Sequence, residues 1–126
     1  AYLLLHGLNA WPIWSDAAVW NKLYNVLDAF DLGSAKFLPY WQSPSWAERP
    51  PDLASAYLNN GQALLVDMNT LNEPGQAKLT LDLKRLEMKS LSSATDVLSG
   101  EQLKLEGNVL TIPQAPHQGR IILLRP

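Results

Sequence analysis

The sequence predicts a mainly β protein, an antiparallel β-sandwich preceded by a partial βαβ unit from the end of a (β/α)8 barrel. Two observations carry that expectation. Of the eleven aromatic residues, ten fall before position 47, among them all five tryptophans (Trp11, Trp14, Trp20, Trp41 and Trp46), and only Tyr57 follows. Beyond position 52 the chain instead becomes a series of short apolar and polar alternations broken by turn residues, the pattern of half-buried strands.

The elements follow in order. Residues 2–8, YLLLHGL, form a continuous apolar run ending near Gly7, as in a strand buried on both faces of a parallel sheet. After the loop NAWPIW, Ser15 is placed as an N-cap and Asp16 lies in the first turn of a helix over 16–30. Trp20, Leu23, Tyr24, Leu27 and Phe30 recur on its apolar face, and Gly33 is positioned to stop it. KFLPYW, residues 36–41, reads as a second strand, parallel to the first and completing one crossover.

QSPSWAERPPD, residues 42–52, holds three prolines and reads as a stiff linker. Next, LASAYL and QALLVDMN flank Asn59-Asn60-Gly61, a hairpin signal because Asn and Gly accept positive φ. In QAKLTLDLK, Leu79, Leu81 and Leu83 share one face while Lys78, Thr80, Asp82 and Lys84 share the other. Further strands are expected at 93–98, 103–106, 109–112 and 120–124, with Gly107-Asn108 turning between the middle two. Short strands at roughly ten-residue intervals indicate a β-sandwich. The division expected is 1–46, the end of a catalytic barrel with its linker, and 47–126, the C-terminal sandwich.

Composition narrows the partners. Ten basic against twelve acidic residues, without runs, give a net charge of -2, so neither nucleic acid nor a membrane surface is an expected partner. No apolar run approaches the length of a membrane span. The absence of cysteine removes disulfides, Cys-ligated zinc and a thiol nucleophile. His6 and His117 stand far apart and in no metal-ligand spacing, so neither a metal nor another cofactor is expected.

The candidate site rests on the tryptophans, because flat indole rings stack on the apolar faces of sugars while their N–H meets a hydroxyl. Trp11 and Trp14 fall in the loop after the first strand and Trp41 ends the second, which is the rim where a barrel builds its site. His6, Asn9 and Tyr40 lie beside them with hydrogen-bonding groups. Trp20 is expected in the core and Trp46 on the linker. No carboxylates form an acid/base pair suited to glycoside hydrolysis: Asp16, Asp28 and Asp31 belong to a solvated helix face, Glu48 to the linker, and Asp67 and Asp82 to the polar side of strands. The His6-Gly7 step after an apolar run also admits an α/β-hydrolase esterase, but no G-x-S-x-G follows anywhere in the chain.

FLPYW at the end of a crossover, a Pro-rich link, DLASAYLNNGQALLVDMN and a terminal GRIILLRP resemble the end of large glycoside hydrolases, and in particular relatives of the family 123 glycosidases. The resemblance implies a barrel followed by a C-terminal β-sandwich, and a retaining, substrate-assisted reaction on N-acetylated sugars that uses an adjacent Asp-Glu pair. No adjacent Asp-Glu occurs in these 126 residues, so no catalytic residue is carried over. The expectation is therefore a C-terminal fragment of a carbohydrate-active hydrolase, extracytoplasmic or secreted, whose sandwich supports the barrel. A carbohydrate-binding or purely structural sandwich module is the alternative. The oligomeric state is left open, and deletion of 1–46 is expected to leave a well-behaved sandwich.

Overall fold

The structure, a computed structural model, describes residues 1–7, 16–41 and 53–126. In chain order its elements are α1 (Tyr2–Leu5), α2 (Ala17–Phe30), a 3-10 turn (Leu32–Ser34), β1 (Lys36–Leu38), β2 (Leu53–Asn59), β3 (Gln62–Met68), β4 (Gly75–Thr80), β5 (Ser93–Asp96), β6 (Lys104–Glu106), β7 (Val109–Gln114) and β8 (Gly119–Arg125). The strands form a five-stranded sheet of order β1-β2-β3-β8-β5 and a three-stranded sheet of order β4-β7-β6. Among the described residues every strand pairing is antiparallel.

The Asn-Gly hairpin anchors this arrangement. Asn60 (φ 50°) and Gly61 (φ 74°) both take positive φ, the geometry that matches a two-residue turn to the twist of its strands. Asn59 then pairs with Gln62 and Leu53 with Met68, which fixes the register over the whole length of β2 and β3. One face of these strands, Ala56, Leu58, Ala63 and Leu65, packs with Ile122 and Leu124 against Leu79, Leu110 and Ile112 of the smaller sheet. The sandwich read from the alternation of 76–84 is thus present, although β4 closes at Thr80 and Leu81 and Leu83 pack from the turn that follows.

The opposite face of the large sheet is also dry. Tyr57, Leu64, Val66 and Ile121 are buried beneath Leu4 and Leu5 of α1 and Leu23, Leu27 and Phe30 of α2. This explains why Ala54–Leu58 and Ala63–Asp67 are buried without interruption. A sheet covered on one side would have required polar residues at alternate positions, and ALLV does not supply them.

The parallel βαβ unit is corrected on two counts. Tyr2–Leu5 is a single helical turn where a strand was expected, and β1 pairs antiparallel with β2, Phe37 opposite Tyr57. A short apolar run carries no periodicity that separates a buried strand from a buried helical turn. Here the turn is chosen by its partners: the Tyr57 hydroxyl donates to the Leu4 carbonyl at 2.6 Å and the Ser55 hydroxyl to the Leu5 carbonyl at 2.7 Å, satisfying groups that a helix end leaves open. Gly7 follows with φ 73°, and a Cβ there would come within 2.8 Å of the Phe37 ring, so both backbone and space call for glycine.

Helix α2 matches its expected span, but its N-cap is Asp16, whose Oδ1 accepts the Ala18 amide at 2.8 Å, and not Ser15. It stops at Asp31, which takes the left-handed conformation, ahead of Gly33. The Asn59 side chain donates to the Phe30 and Asp31 carbonyls at 2.9 and 3.3 Å, tying the helix end to the hairpin. Asp67 also departs from expectation. It is buried, sharing the inner-face parity of Ala63 and Leu65, and accepts a hydrogen bond from Gln114 of β7. Asp82 lies past β4, where its Oδ1 accepts the Arg85 amide at 3.2 Å.

Burial raises the Tyr57 phenol to about 12. A folded value above the unfolded one, near 10, means that Tyr57 contributes stability which is intact below about pH 10 and lost as pH rises toward 12. Denaturant melts of the chain between pH 9 and 12 should show that loss, and Tyr57→Phe should remove this part of the alkaline limb.

Candidate functional site

The residues that form a site lie where α1 meets the end of β1. Ser55, buried on β2, holds the two pieces together: its hydroxyl donates to the Leu5 carbonyl and its oxygen accepts the Tyr40 amide at 3.1 Å. Those two bonds fix the residues just beyond them, so that His6 and Tyr40 come side by side although 34 positions separate them in the chain. The Tyr40 hydroxyl lies 3.4 Å from His6 Nε2, and the two rings meet edge to face with centroids 5.6 Å apart.

Trp41 completes the group. Its indole stacks on His6 at 6.0 Å and 26°, and meets Tyr40 at 5.0 Å and Phe37 at 6.0 Å in edge contacts. Phe37 in turn packs on Tyr57 at 4.8 Å, which roots the exposed rings in the covered face of the sheet. Trp41 itself is 53% exposed. Trp41 is thus a large ring braced on three sides and still half in solvent, an arrangement that leaves it little freedom to lose. The imidazole and the phenol beside it supply a hydrogen-bond donor and acceptor.

Three of the six expected site residues, His6, Tyr40 and Trp41, are therefore brought together. Asn9, Trp11 and Trp14 lie outside the described residues, as does Trp46. Trp20, expected in the core, is partly buried against the covered face and packs on Tyr24 with centroids 5.7 Å apart. Phe37 and Ser55 were not expected to matter. Ser55 looked like an ordinary polar position within LASAYL, and only the tertiary fold shows that its hydroxyl is the pin. Tyr57, the one aromatic residue beyond position 46, is buried with its hydroxyl donating to the Leu4 carbonyl.

The group sets a half-exposed indole beside an imidazole and a phenol. Among the described residues no cluster of three His, Cys, Asp or Glu side chains could hold a metal ion. His117 lies elsewhere, its Nε2 2.6 Å from Asn72 Oδ1. The esterase expectation also loses its premise, since the His6-Gly7 step follows a helical turn and not a strand.

No protein-family model matches the chain, and no curated protein matches it in sequence. Solved structures do match in fold. An α-amylase from Anoxybacillus aligns over 91% of this chain with a TM-score of 0.63 at 11% identity, and the α-amylase of Geobacillus thermoleovorans, solved with acarbose, over 92% with 0.61 at 9%. A Bacillus halodurans protein assigned as an α-N-acetylgalactosaminidase aligns over 74% with 0.53 at 18%. The chain covers 24%, 25% and 20% of these three proteins. Its fold, mainly antiparallel sheet in a sandwich, is one that part of each of these proteins shares. A match over nine-tenths of the chain also extends well ahead of residue 53, so it is not confined to the sandwich.

Proposed function

We propose that this chain is the C-terminal part of a carbohydrate-active glycoside hydrolase, in which the sandwich supports a (β/α)8 catalytic barrel. The observation that carries the reading is the large sheet buried on both faces, with α1 and α2 lying on the outer one. A freestanding binding module is served well enough by one wet face. A sheet with a permanent helical cover suits a seam between two parts of a longer protein, and the fold likeness to α-amylases over nine-tenths of the chain supports it. In this reading the described part of residues 1–41 belongs with the sandwich, α1 and α2 covering its large sheet and β1 extending that sheet at its edge, and the barrel lies in residues outside this chain.

His6, Tyr40 and Trp41, together with Asn9, Trp11 and Trp14, would lend one edge of the sugar-binding surface, and acid/base catalysis would belong to residues outside this chain. The finer assignment, to relatives of family 123 acting on N-acetylated sugars, is part of the proposal and rests on the sequence resemblance alone. An extracytoplasmic location goes with an enzyme of polymeric glycans. The alternative of a self-sufficient carbohydrate-binding sandwich is disfavoured, because Tyr57, the sole aromatic residue after position 46, is buried.

The test uses the longer protein that carries this chain, assayed on aryl glycosides of N-acetylated and neutral sugars and on α-glucans. Hydrolysis of at least one is expected, and Trp41→Ala should lower kcat/KM by roughly five- to 150-fold, equivalent to about 1–3 kcal/mol, the scale of one lost stacking platform. Inactivity on every glycoside, or a Trp41→Ala variant as active as the parent, would count against it.

A further inference from the structure

We propose that Asn60, at the tip of the β2–β3 hairpin, is a site of spontaneous conversion to isoaspartate, and that the conversion releases the C-terminal end of α2 from the sheet. Asn60 is followed by Gly61, and no other asparagine in the sequence precedes a glycine. The reaction needs nothing beyond water. The backbone nitrogen of Gly61 attacks Asn60 Cγ and closes a succinimide ring, while the side-chain nitrogen leaves as ammonia with the Gly61 amide proton. Water then opens the ring. Opening at Cγ gives aspartate, and opening at the former main-chain carbonyl leaves the chain running through Cγ, as isoaspartate. One water is taken up and one ammonia released, with no change of oxidation state.

The hairpin leaves this step open at Asn60. Both turn residues are exposed, and the Gly61 nitrogen lies outside the strand ladder, which closes at the Asn59–Gln62 pair. Among the described residues no atom beyond its chain neighbours lies within 4 Å of the place a Gly61 Cβ would take, so the nitrogen can swing toward Cγ without displacing anything. Other asparagines are held or crowded. Asn69 is buried and its amide donates to the Glu73 and Ala115 carbonyls at 2.9 and 3.1 Å. Asn108 precedes the β-branched Val109, and Asn21 and Asn25 lie within α2, whose helical backbone keeps the following nitrogen from the side chain.

The consequence reaches the helix through Asn59. Isoaspartate adds one backbone carbon to a loop of two residues, which upsets the turn that sets the Asn59–Gln62 register. The Asn59 side chain sits at that pair and donates to the Phe30 and Asp31 carbonyls, groups that the end of α2 leaves open.

The proposal stands apart from the carbohydrate reading and is tested on the folded 126-residue chain itself. The protein is incubated at mildly alkaline pH below its melting temperature and mapped over time by tandem mass spectrometry with electron-transfer fragmentation, which separates isoaspartate from aspartate. The mass gain of an amide-to-acid exchange is expected at Asn60 ahead of every other asparagine, with isoaspartate the larger product, and Gly61→Ala should slow it by about tenfold or more. In the converted fraction, isolated by anion exchange, the amides of Leu27, Phe30 and Asp31 should exchange hydrogen at least about tenfold faster than in the parent, while those of Leu110 and Ile112 in β7 do not change. Asn60→Asp, which carries the same charge without the added backbone carbon, should keep the protection of the parent. An intact Asn60 in the folded chain after a peptide of residues 56–65 has converted, earlier conversion of another asparagine, unchanged α2 protection after conversion, or equal loosening in Asn60→Asp would each overturn it. The time course and the converted fraction need no variant, and they decide the matter even if Gly61→Ala perturbs the turn.

Discussion

A chain that begins at Lys36, lacking α1 and α2, is expected to lose the cooperative melt of the full chain and to self-associate. The outer face of the large sheet would then present Tyr57, Leu64, Val66 and Ile121 to water, all four of them buried in the intact protein. At about 1.5–3 kcal/mol for each large apolar side chain, the lost burial is on the order of 6–12 kcal/mol. That is as large as the whole stability of an ordinary domain. Ser55 and Asn59 would in addition lose the carbonyls they now bind. The packing thus points the opposite way from the sequence expectation that removing the N-terminal part leaves a well-behaved sandwich. Circular-dichroism melts with size-exclusion chromatography decide it, and a monomeric truncated chain melting cooperatively near the temperature of the full chain would show that the sandwich needs no cover.

Arg120→Ala is expected to destabilise the chain by about 3–5 kcal/mol, the usual consequence of leaving one half of a buried ion pair behind. Arg120 and Asp96 are both almost wholly enclosed, with Nε 2.8 Å from Oδ2. The same guanidinium donates to the Pro113 carbonyl at 2.9 Å and pairs with Glu101, so it joins β8, β5 and the end of β7. Burial pushes the Asp96 carboxyl up, but the amides of Ser99 and Leu98 and the Arg120 guanidinium outweigh that and hold it below the usual carboxylate value. A depressed folded value means stability that is present above about pH 4 and lost as pH falls through the folded value. Urea titrations from pH 7 to 2 should show this acid limb in the parent and a shallower one in Arg120→Ala. Arg120→Ala costing less than about 1 kcal/mol would mean that solvent already screens the pair.

The sandwich was legible because its signals are local. Asn60-Gly61 dictates a hairpin whatever surrounds it, and Ala77 and Leu79 alternate with exposed neighbours as a half-buried strand must. The N-terminal part was misread because its conformation is set at a distance. LLL carries no period, and what makes it a helical turn is a pair of hydroxyls, Ser55 and Tyr57, roughly fifty positions away. β1 was found as a strand, yet its direction depends on pairing with β2 across the Pro-rich segment, which no spacing rule reveals. The same holds for the site. Tyr40 and Trp41 could be picked by type, and His6 by proximity to them in an expected barrel rim, but Phe37 and Ser55, which brace them, have no signature outside the fold. Asp67 follows the inner-face parity and was still placed on the polar side, because its partner Gln114 lies on the other sheet.

That α2 and the sandwich are one cooperative unit, built on a sheet buried from both sides, is tested most directly by native-state hydrogen exchange on the full 126-residue chain. The amides of Leu27 and Phe30 in α2 are predicted to exchange with the same opening free energy, and the same dependence on denaturant, as those of Leu64, Leu65 and Val66 in β3. Exchange of the α2 amides through a low-energy opening, while β3 remains protected to the global limit, would contradict it.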